Sequence, residues 1–357
     1  MKILLLKFRN IGDVLLSTPL VNNLRHHYPN AQIDFCVNKE TEAMLTLNPN
    51  LNKIITYDRI AIKSLTSIKR LWRELQFIRS FKKENYDVVI NLTSGDRGNL
   101  IAWISNATTR IGYSNKSWFF RKSLTHELPK QELRHTVDAS LDPLRLLNIP
   151  ISNKSVEIFW NSKDEQAISS ELTNINNFIH LHPVSRWLFK CISDNTMAQI
   201  IDYCQLNIGL KVVITASEDK FEVEKVNKIL SLTKSKPINL SGKLSLKETA
   251  ALNKKAKLFI GVDTSIMHIS ASNNVPVLAF FGPSGACHWG PWDNSIATSG
   301  YSRIKGFQVM GMHRVFSESR PCQPCGKDGC DGTKISDCLM NLDFEKIKSN
   351  IVEMLDD

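Results

Sequence analysis

The chain has no apolar run near the roughly 20 residues that a membrane-crossing helix needs. Its start, MKILLLKFRN, lacks both the long apolar core and the small-residue cleavage site of an export signal. A cytoplasmic location is therefore expected. No internal repeat and no low-complexity tract is present, which sets aside repeat arrays and fibrous architectures. Acidic residues are the minority, 35 against 45 lysines and arginines, so the net charge is +10. Such an excess points to an anionic partner: nucleic acid, a phosphorylated lipid or a membrane surface.

What is present suffices for large cores, since 42% of the 357 residues are hydrophobic. That length exceeds what one core usually serves, so two domains of about 150 to 180 residues are expected. Apolar strand-like runs alternate with helical periodicity twice. Strands are expected at residues 2–8, 32–37, 53–57, 87–92 and 109–113, with helical stretches at 14–27 and 62–83. A polar stretch of weak signal, residues 149–163, precedes strands at 178–182, 210–215, 237–240, 258–262 and 275–280. Helices fit residues 194–206, 218–232, 246–255 and 265–272 between them. The class is α/β: two Rossmann-like domains, at 1–160 and 161–342, facing each other across a ligand cleft, with a closing helix within 343–357.

Chemistry concentrates where strands give way to helices. Leu258-Phe259-Ile260-Gly261-Val262-Asp263-Thr264-Ser265-Ile266-Met267-His268 reads as a strand that stops at a glycine and opens a helix. The glycine lets backbone pass close to a ligand, Thr264 offers a hydroxyl, and the helix start presents free N–H groups to an anion. An ordinary turn capped by Asp263 or Thr264 is the plainer alternative. The amino terminus repeats the pattern: an apolar run, the turn Arg9-Asn10-Ile11-Gly12-Asp13, then a helix. A carboxylate there is the wrong charge for phosphate and the right one to accept a proton, although Asp13 also suits a plain helix cap. A third segment, Ile179 to Lys190, runs from a buried-type strand into Arg186 and Lys190, two cations suited to a diphosphate.

With those elements placed, the chain resembles the lipopolysaccharide heptosyltransferases, glycosyltransferase family 9, which have the GT-B fold. The residues that carry the likeness are Arg9 to Pro19, Gly261 to His268 and Phe281-Gly282-Pro283-Ser284. Asn91-Leu92-Thr93, the stretch from His182-Pro183 to Cys191, and Trp289-Gly290-Pro291-Trp292 are similar to the type that adds the third heptose of the inner core. The likeness implies an inverting transfer from ADP-heptose, with Asp13 as the general base toward the acceptor hydroxyl. It implies Ser185, Lys190, Thr264 and the Ser265 amide at the leaving diphosphate, Glu218 at the ribose and Leu244 on the adenine. Asp263 and His268 are placed near the donor sugar and phosphates. For His268, a core-facing helix residue is the alternative. The segment at 186–190 is one residue longer than in members that add the first heptose. No Asp-x-Asp metal motif stands beside these elements, so no cofactor or metal is expected in the reaction. The implied acceptor is a phosphorylated inner-core glycolipid, held at the inner membrane face of a Gram-negative bacterium by a monomeric peripheral protein.

Two basic, aromatic stretches fall in the first half. In residues 59–83, eight cations stand against Glu74 as the one acid, with Ile62, Leu65, Ile68, Trp72, Leu75 and Ile78 near helical spacing. This reads as a surface helix with its apolar face in the core, or as a helix lying on anionic lipid or on the acceptor. Trp118-Phe119-Phe120-Arg121-Lys122 is a shorter version. Four of eight cysteines cluster as Cys322, Cys325, Cys330 and Cys338, which suggests a structural zinc knot, reduced thiols or a disulfide-tied loop. The other four, Cys36, Cys191, Cys204 and Cys287, read as isolated core or loop residues. Two rival functions remain: another GT-B transferase using a different nucleotide or sugar position, and a non-catalytic nucleotide- or nucleic-acid-binding protein. Asp13 speaks against the second, because a binder of anions gains nothing from a carboxylate at a strand end.

Overall fold

The computed structural model describes residues 1–114, 123–130, 132–172, 175 and 177–356. The chain forms two compact units, one of residues 1–132 with 136–159 and one of 133–135 with 160–357. The stretch from Trp118 to Lys122 lies outside the described residues.

The first unit is built on six parallel strands: β1 (Lys2–Lys7), β2 (Gln32–Asn38), β3 (Lys53–Tyr57), β4 (Val88–Asn91), β5 (Thr109–Tyr113) and β6 (His126–Leu128). Their order is β3-β2-β1-β4-β5-β6, so the chain reverses direction across the sheet between β1 and β4. Ile3, Leu4, Leu5 and Leu6 are fully buried, as expected of a central parallel strand covered on both faces. The expected helix at 14–27 is two helices, Ile11–Leu15 and Thr18–His27, and Pro19 falls in the first turn of the second, where a missing N–H costs nothing. The stretch at 62–83 is also broken. It forms helices Arg59–Lys63 and Ser67–Ser80 and a tight turn at Phe81–Glu84, ended by Asn85 in the left-handed region at φ 52°.

The second unit carries β7 (Phe178–His182), β8 (Lys211–Ile214), β9 (Ile238–Asn239), β10 (Leu258–Val262), β11 (Val277–Phe280), β12 (Gln308–Met310) and β13 (His313–Phe316). The order is β12-β13-β11-β10-β7-β8-β9, parallel except for β12 against β13. Read from β9 to β11 it repeats the strand order of the first unit, with the reversal between β7 and β10. Its main core gathers Ile179, Leu181, Ile200, Ile260 and Phe280 with Ile347, Ile351 and Met354 of the final helix Phe344–Asp356. Helix Ser162–Glu171, absent from the sequence reading, buries only Ile168, and a capping box between Asn161 and Asp164 starts it. Among the described residues no helix is long and apolar enough to cross a membrane.

Candidate active site

In an open parallel sheet the loops after the strands meet at one edge, and the reversal of strand order opens a crevice there. In the second unit that edge assembles most of the expected site residues. The loop after β7 carries Ser185 and Lys190, that after β8 carries Glu218, that after β9 leads to Leu244, and β10 delivers Asp263.

Lys190 donates to Asp263 Oδ2 at 2.6 Å, and Ser284, from the loop after β11, donates to the same oxygen at 2.5 Å. Asp263 is buried, and burial alone would raise its carboxyl pKa. The charge and hydrogen bond of Lys190, the Ser284 hydroxyl and nearby His268 outweigh it and hold the group below the usual carboxylate range. Lys190 also lies 4.9 Å from the Trp187 ring centre, and the Arg186 guanidinium 5.2 Å from it, so the indole lines up both cations.

The helix that follows, Ser265–Ser272, starts at Thr264, whose side chain caps nothing. Thr264 Oγ1 and His268 Nδ1 are buried polar atoms with no partner among the described residues. Buried polar groups are normally paired, so two orphans on one helical turn beside an ion pair make this junction the candidate site. His268 is 4% exposed; burial first, then the charges of His135 and Lys190, against the pull of Asp263, bring its pKa down to about 4. It stays neutral at pH 7 and offers a hydrogen bond without a charge.

Gly261 departs from the expectation. The strand does not stop there: Gly261 lies within β10, opposite His182 of β7. A Cβ on it would sit 2.7 Å from the His182 carbonyl oxygen and 2.7 Å from the Phe259 ring. The glycine serves close packing inside the sheet.

Beneath the edge runs a buried chain of hydrogen bonds. Asn253 Nδ2 lies 3.0 Å from His180 Nδ1, His180 Nε2 lies 2.8 Å from Thr215 Oγ1, and that hydroxyl lies 2.9 Å from His182 Nδ1. The amide can only donate, so His180 carries its proton on Nε2, and Thr215 passes its own to His182. Burial lowers both imidazoles, His182 to about 4. Asn253 also donates to Ser270 at 2.8 Å and accepts from Asn273 at 3.0 Å, which ties helix Ser265–Ser272 to helix Leu246–Asn253.

The other residues that the resemblance puts at the donor are placed less tightly. Ser185 is buried, and its hydroxyl accepts from the Trp187 N–H at 3.2 Å, within its own loop. Glu218 is exposed; a Cβ on Gly242, which has φ +73°, would lie 3.5 Å from the Glu218 Cα, so the loops after β8 and β9 run side by side. Leu244 is half-buried against a small core containing Leu240 and Leu252. Trp292 is buried against His135, with ring centres 4.8 Å apart.

In the first unit Asp13 is half-buried in the first turn of helix Ile11–Leu15, beyond the carboxyl end of β1. The N-cap is Asn10, so Asp13 is not a cap. Lys7, which the sequence reading passed over, is buried at the same strand end and donates to the Leu92 carbonyl at 3.2 Å. Burial lowers its pKa, while the charge of Asp13 opposes that shift. Thr93 accepts from the Phe8 N–H at 2.9 Å and closes the turn beside it. Ser284, named above as part of the family likeness but given no role, was the other residue whose part was missed; its place just after β11 was the available signal.

The cysteine cluster does not assemble as a zinc knot. Among the described residues no three His, Cys, Asp or Glu side chains converge to hold a metal. Cys322 and Cys325 are exposed, Cys330 is half-buried, Cys338 is buried, and all eight cysteines are free thiols. Burial raises the Cys338 thiol to about 11, against the pull of Arg320.

Two sheets of Rossmann order in one chain, parallel but for the edge strand β12, with a carboxylate at the end of one and a helix start with free N–H groups at the end of the other, define a GT-B glycosyltransferase frame. The fold is similar to a family 9 glycosyltransferase of Veillonella parvula, with TM-score 0.79 and 22% identity over 99% of this chain and 97% of that one. It is also similar to the ADP-heptose lipopolysaccharide heptosyltransferase II of Escherichia coli, with TM-score 0.73 and 17% identity over 99% and 98% of the two chains. In sequence the chain is 30% identical over 292 residues to lipopolysaccharide heptosyltransferase 3 of Escherichia coli, covering 80% of this chain and 84% of the relative. Residues 74–308 match glycosyltransferase family 9 (heptosyltransferase), and the chain belongs to that family.

Proposed function

We propose that this protein transfers L-glycero-D-manno-heptose from ADP-heptose to a heptose of the lipopolysaccharide inner core, with inversion and with protein donors in place of a metal ion. The observation that carries this reading is the junction after β10: the Lys190–Asp263 ion pair beside the unpartnered Thr264 hydroxyl and His268 ring nitrogen. The relative named heptosyltransferase 3 and the neighbour named for ADP-heptose supply the sugar and the nucleotide.

In this mechanism Asp13 takes the proton of the acceptor hydroxyl as it attacks the anomeric carbon, and the C–O bond to the diphosphate breaks in the same displacement. Charge grows on the leaving diphosphate. The Lys190 ammonium, the Thr264 hydroxyl, the Ser265 amide and the helix dipole meet it, and neutral His268 donates without adding charge. Ser185 steadies the Lys190 loop, Glu218 accepts from the ribose hydroxyls, and Leu244 packs on adenine. The acceptor is a phosphorylated glycolipid, in keeping with the net charge of +10, and the protein works as a monomer on the cytoplasmic face of the inner membrane.

Thermal shift against ADP, UDP, GDP and a single-stranded oligonucleotide tests the donor: ADP-selective stabilisation is expected. UDP selectivity would point to another GT-B transferase, and stabilisation by the oligonucleotide alone would end the reading. Asp13→Asn is expected to keep ADP binding and lose about 10²-fold or more in turnover. Near-normal turnover would remove Asp13 as the base.

A further inference from the structure

Of the two readings of residues 59–83, the core-facing apolar stripe does not hold for helix Ser67–Ser80. The side that packs on the first unit is formed by Glu74, Phe77 and Ile78. Ile78 is buried, Phe77 lies between Tyr57 and Phe81 at ring distances of 5.1 and 5.3 Å, and Glu74 takes the Arg97 guanidinium at 3.0 Å. The Tyr57 hydroxyl also donates to Glu74. This polar anchor fixes the rotation of the helix.

The longer apolar stripe then faces outward. Ile68, Leu71, Trp72 and Leu75, at i, i+3, i+4 and i+7, are 76%, 61%, 70% and 40% exposed. An amphipathic helix normally buries such a stripe, and a contiguous exposed one marks an interaction surface. Exposed Lys69, Arg70, Arg73 and Arg79 accompany it, and Glu74, the only acid of the helix, is already held by Arg97.

We propose that this helix docks the protein on an anionic lipid bilayer, lying in the interface with Ile68, Leu71, Trp72 and Leu75 among the acyl chains. The charge pattern selects this occupant. A second copy applied by a two-fold axis would set four cations against four cations with no free carboxylate between them. A bilayer rich in anionic headgroups meets the same cations favourably, while tryptophan and aliphatic residues suit the boundary between headgroup and acyl chain. The proposal adds a docking surface to the glycolipid-acceptor reading and rests on that reading only for its purpose, because binding is measured without donor or acceptor.

The test is co-sedimentation of the full chain with vesicles of phosphatidylcholine containing about one-third phosphatidylglycerol, and with phosphatidylcholine alone. Binding to the anionic vesicles is expected, with a part that survives high salt because it is apolar. The triple variant Ile68→Ser, Leu71→Ser, Trp72→Ser should lose at least tenfold in vesicle affinity with an unchanged melting temperature, since these side chains are exposed. Trp72→Phe should still bind but lose fluorescence quenching by lipids brominated near the headgroup. Equal binding by the triple variant, or none by the wild type, overturns the proposal. So does a dimer in sedimentation that Trp72→Ser dissolves.

Discussion

A lysine ammonium has three hydrogens, and Lys190 already gives one to Asp263. The other two are left for the diphosphate of the proposed donor, so on that reading the ion pair positions the cation without using up its hydrogens. Lys190→Ala is expected to weaken ADP binding at least tenfold by titration calorimetry and to slow transfer. It also leaves the Asp263 carboxylate buried and uncompensated, a loss of about 3–5 kcal/mol that should appear as a lower melting temperature without ligand. An unchanged ADP affinity beside a lowered melting temperature would reduce Lys190 to a counter-ion of Asp263. The sequence made Lys190 and Asp263 visible separately, as a cation and an acid in different loops. Their direct bond was not legible, because it depends on β7 and β10 being neighbours although about 80 residues part them. Lys7 was hidden for the opposite reason: within Lys-Ile-Leu-Leu-Leu-Lys-Phe it reads as the polar end of a strand.

Elements were legible where burial on both faces leaves a nearly unbroken apolar run, as at β1, β7 and β10, and where a helix start is abrupt, as at Ser265. They were missed where little is buried, as in helix Ser162–Glu171, and where a strand is too short to show a period, as in β12 and β13. Periodicity showed an apolar stripe in residues 67–80 but not which way it faces; Tyr57 and Arg97, far away in sequence, decide that. Gly261 is a similar case, a residue whose reason lies on the neighbouring strand. Gly261→Ala is expected to destabilise the second unit by about 1–3 kcal/mol, since the His182 carbonyl is backbone in the sheet and cannot swing aside. For a unit of this size that is a fall of several degrees in Tm by calorimetry. An unchanged Tm would show that β10 and β7 can separate slightly at no cost.

At the scale of the whole molecule, pH reports on the buried imidazoles. His182 and His268 titrate near 4 in the folded chain, mainly through burial, against about 6.5 for a free histidine. Between those values the unfolded chain holds more protons, so stability falls as pH drops from about 6.5 to 4 and levels off below. Each ring contributes on the order of 3 kcal/mol across the window. The melting temperature of the second unit should therefore decline steeply from pH 7 to pH 4.5, and a flat profile would mean that these rings accept protons without unfolding. The chain of bonds from Asn253 through His180 and Thr215 to His182, with its branch to Ser270, has a kinetic consequence as well. It ties β7, the residue that follows β8 and the helices Leu246–Asn253 and Ser265–Ser272 into one buried network, so these parts are expected to open together. Amide hydrogens of those four elements should exchange with deuterium together and last. A network set in shape before any ligand arrives predicts that the donor proposed above binds without slow folding of these four elements, which stopped-flow mixing with ADP would show as a single concentration-dependent phase.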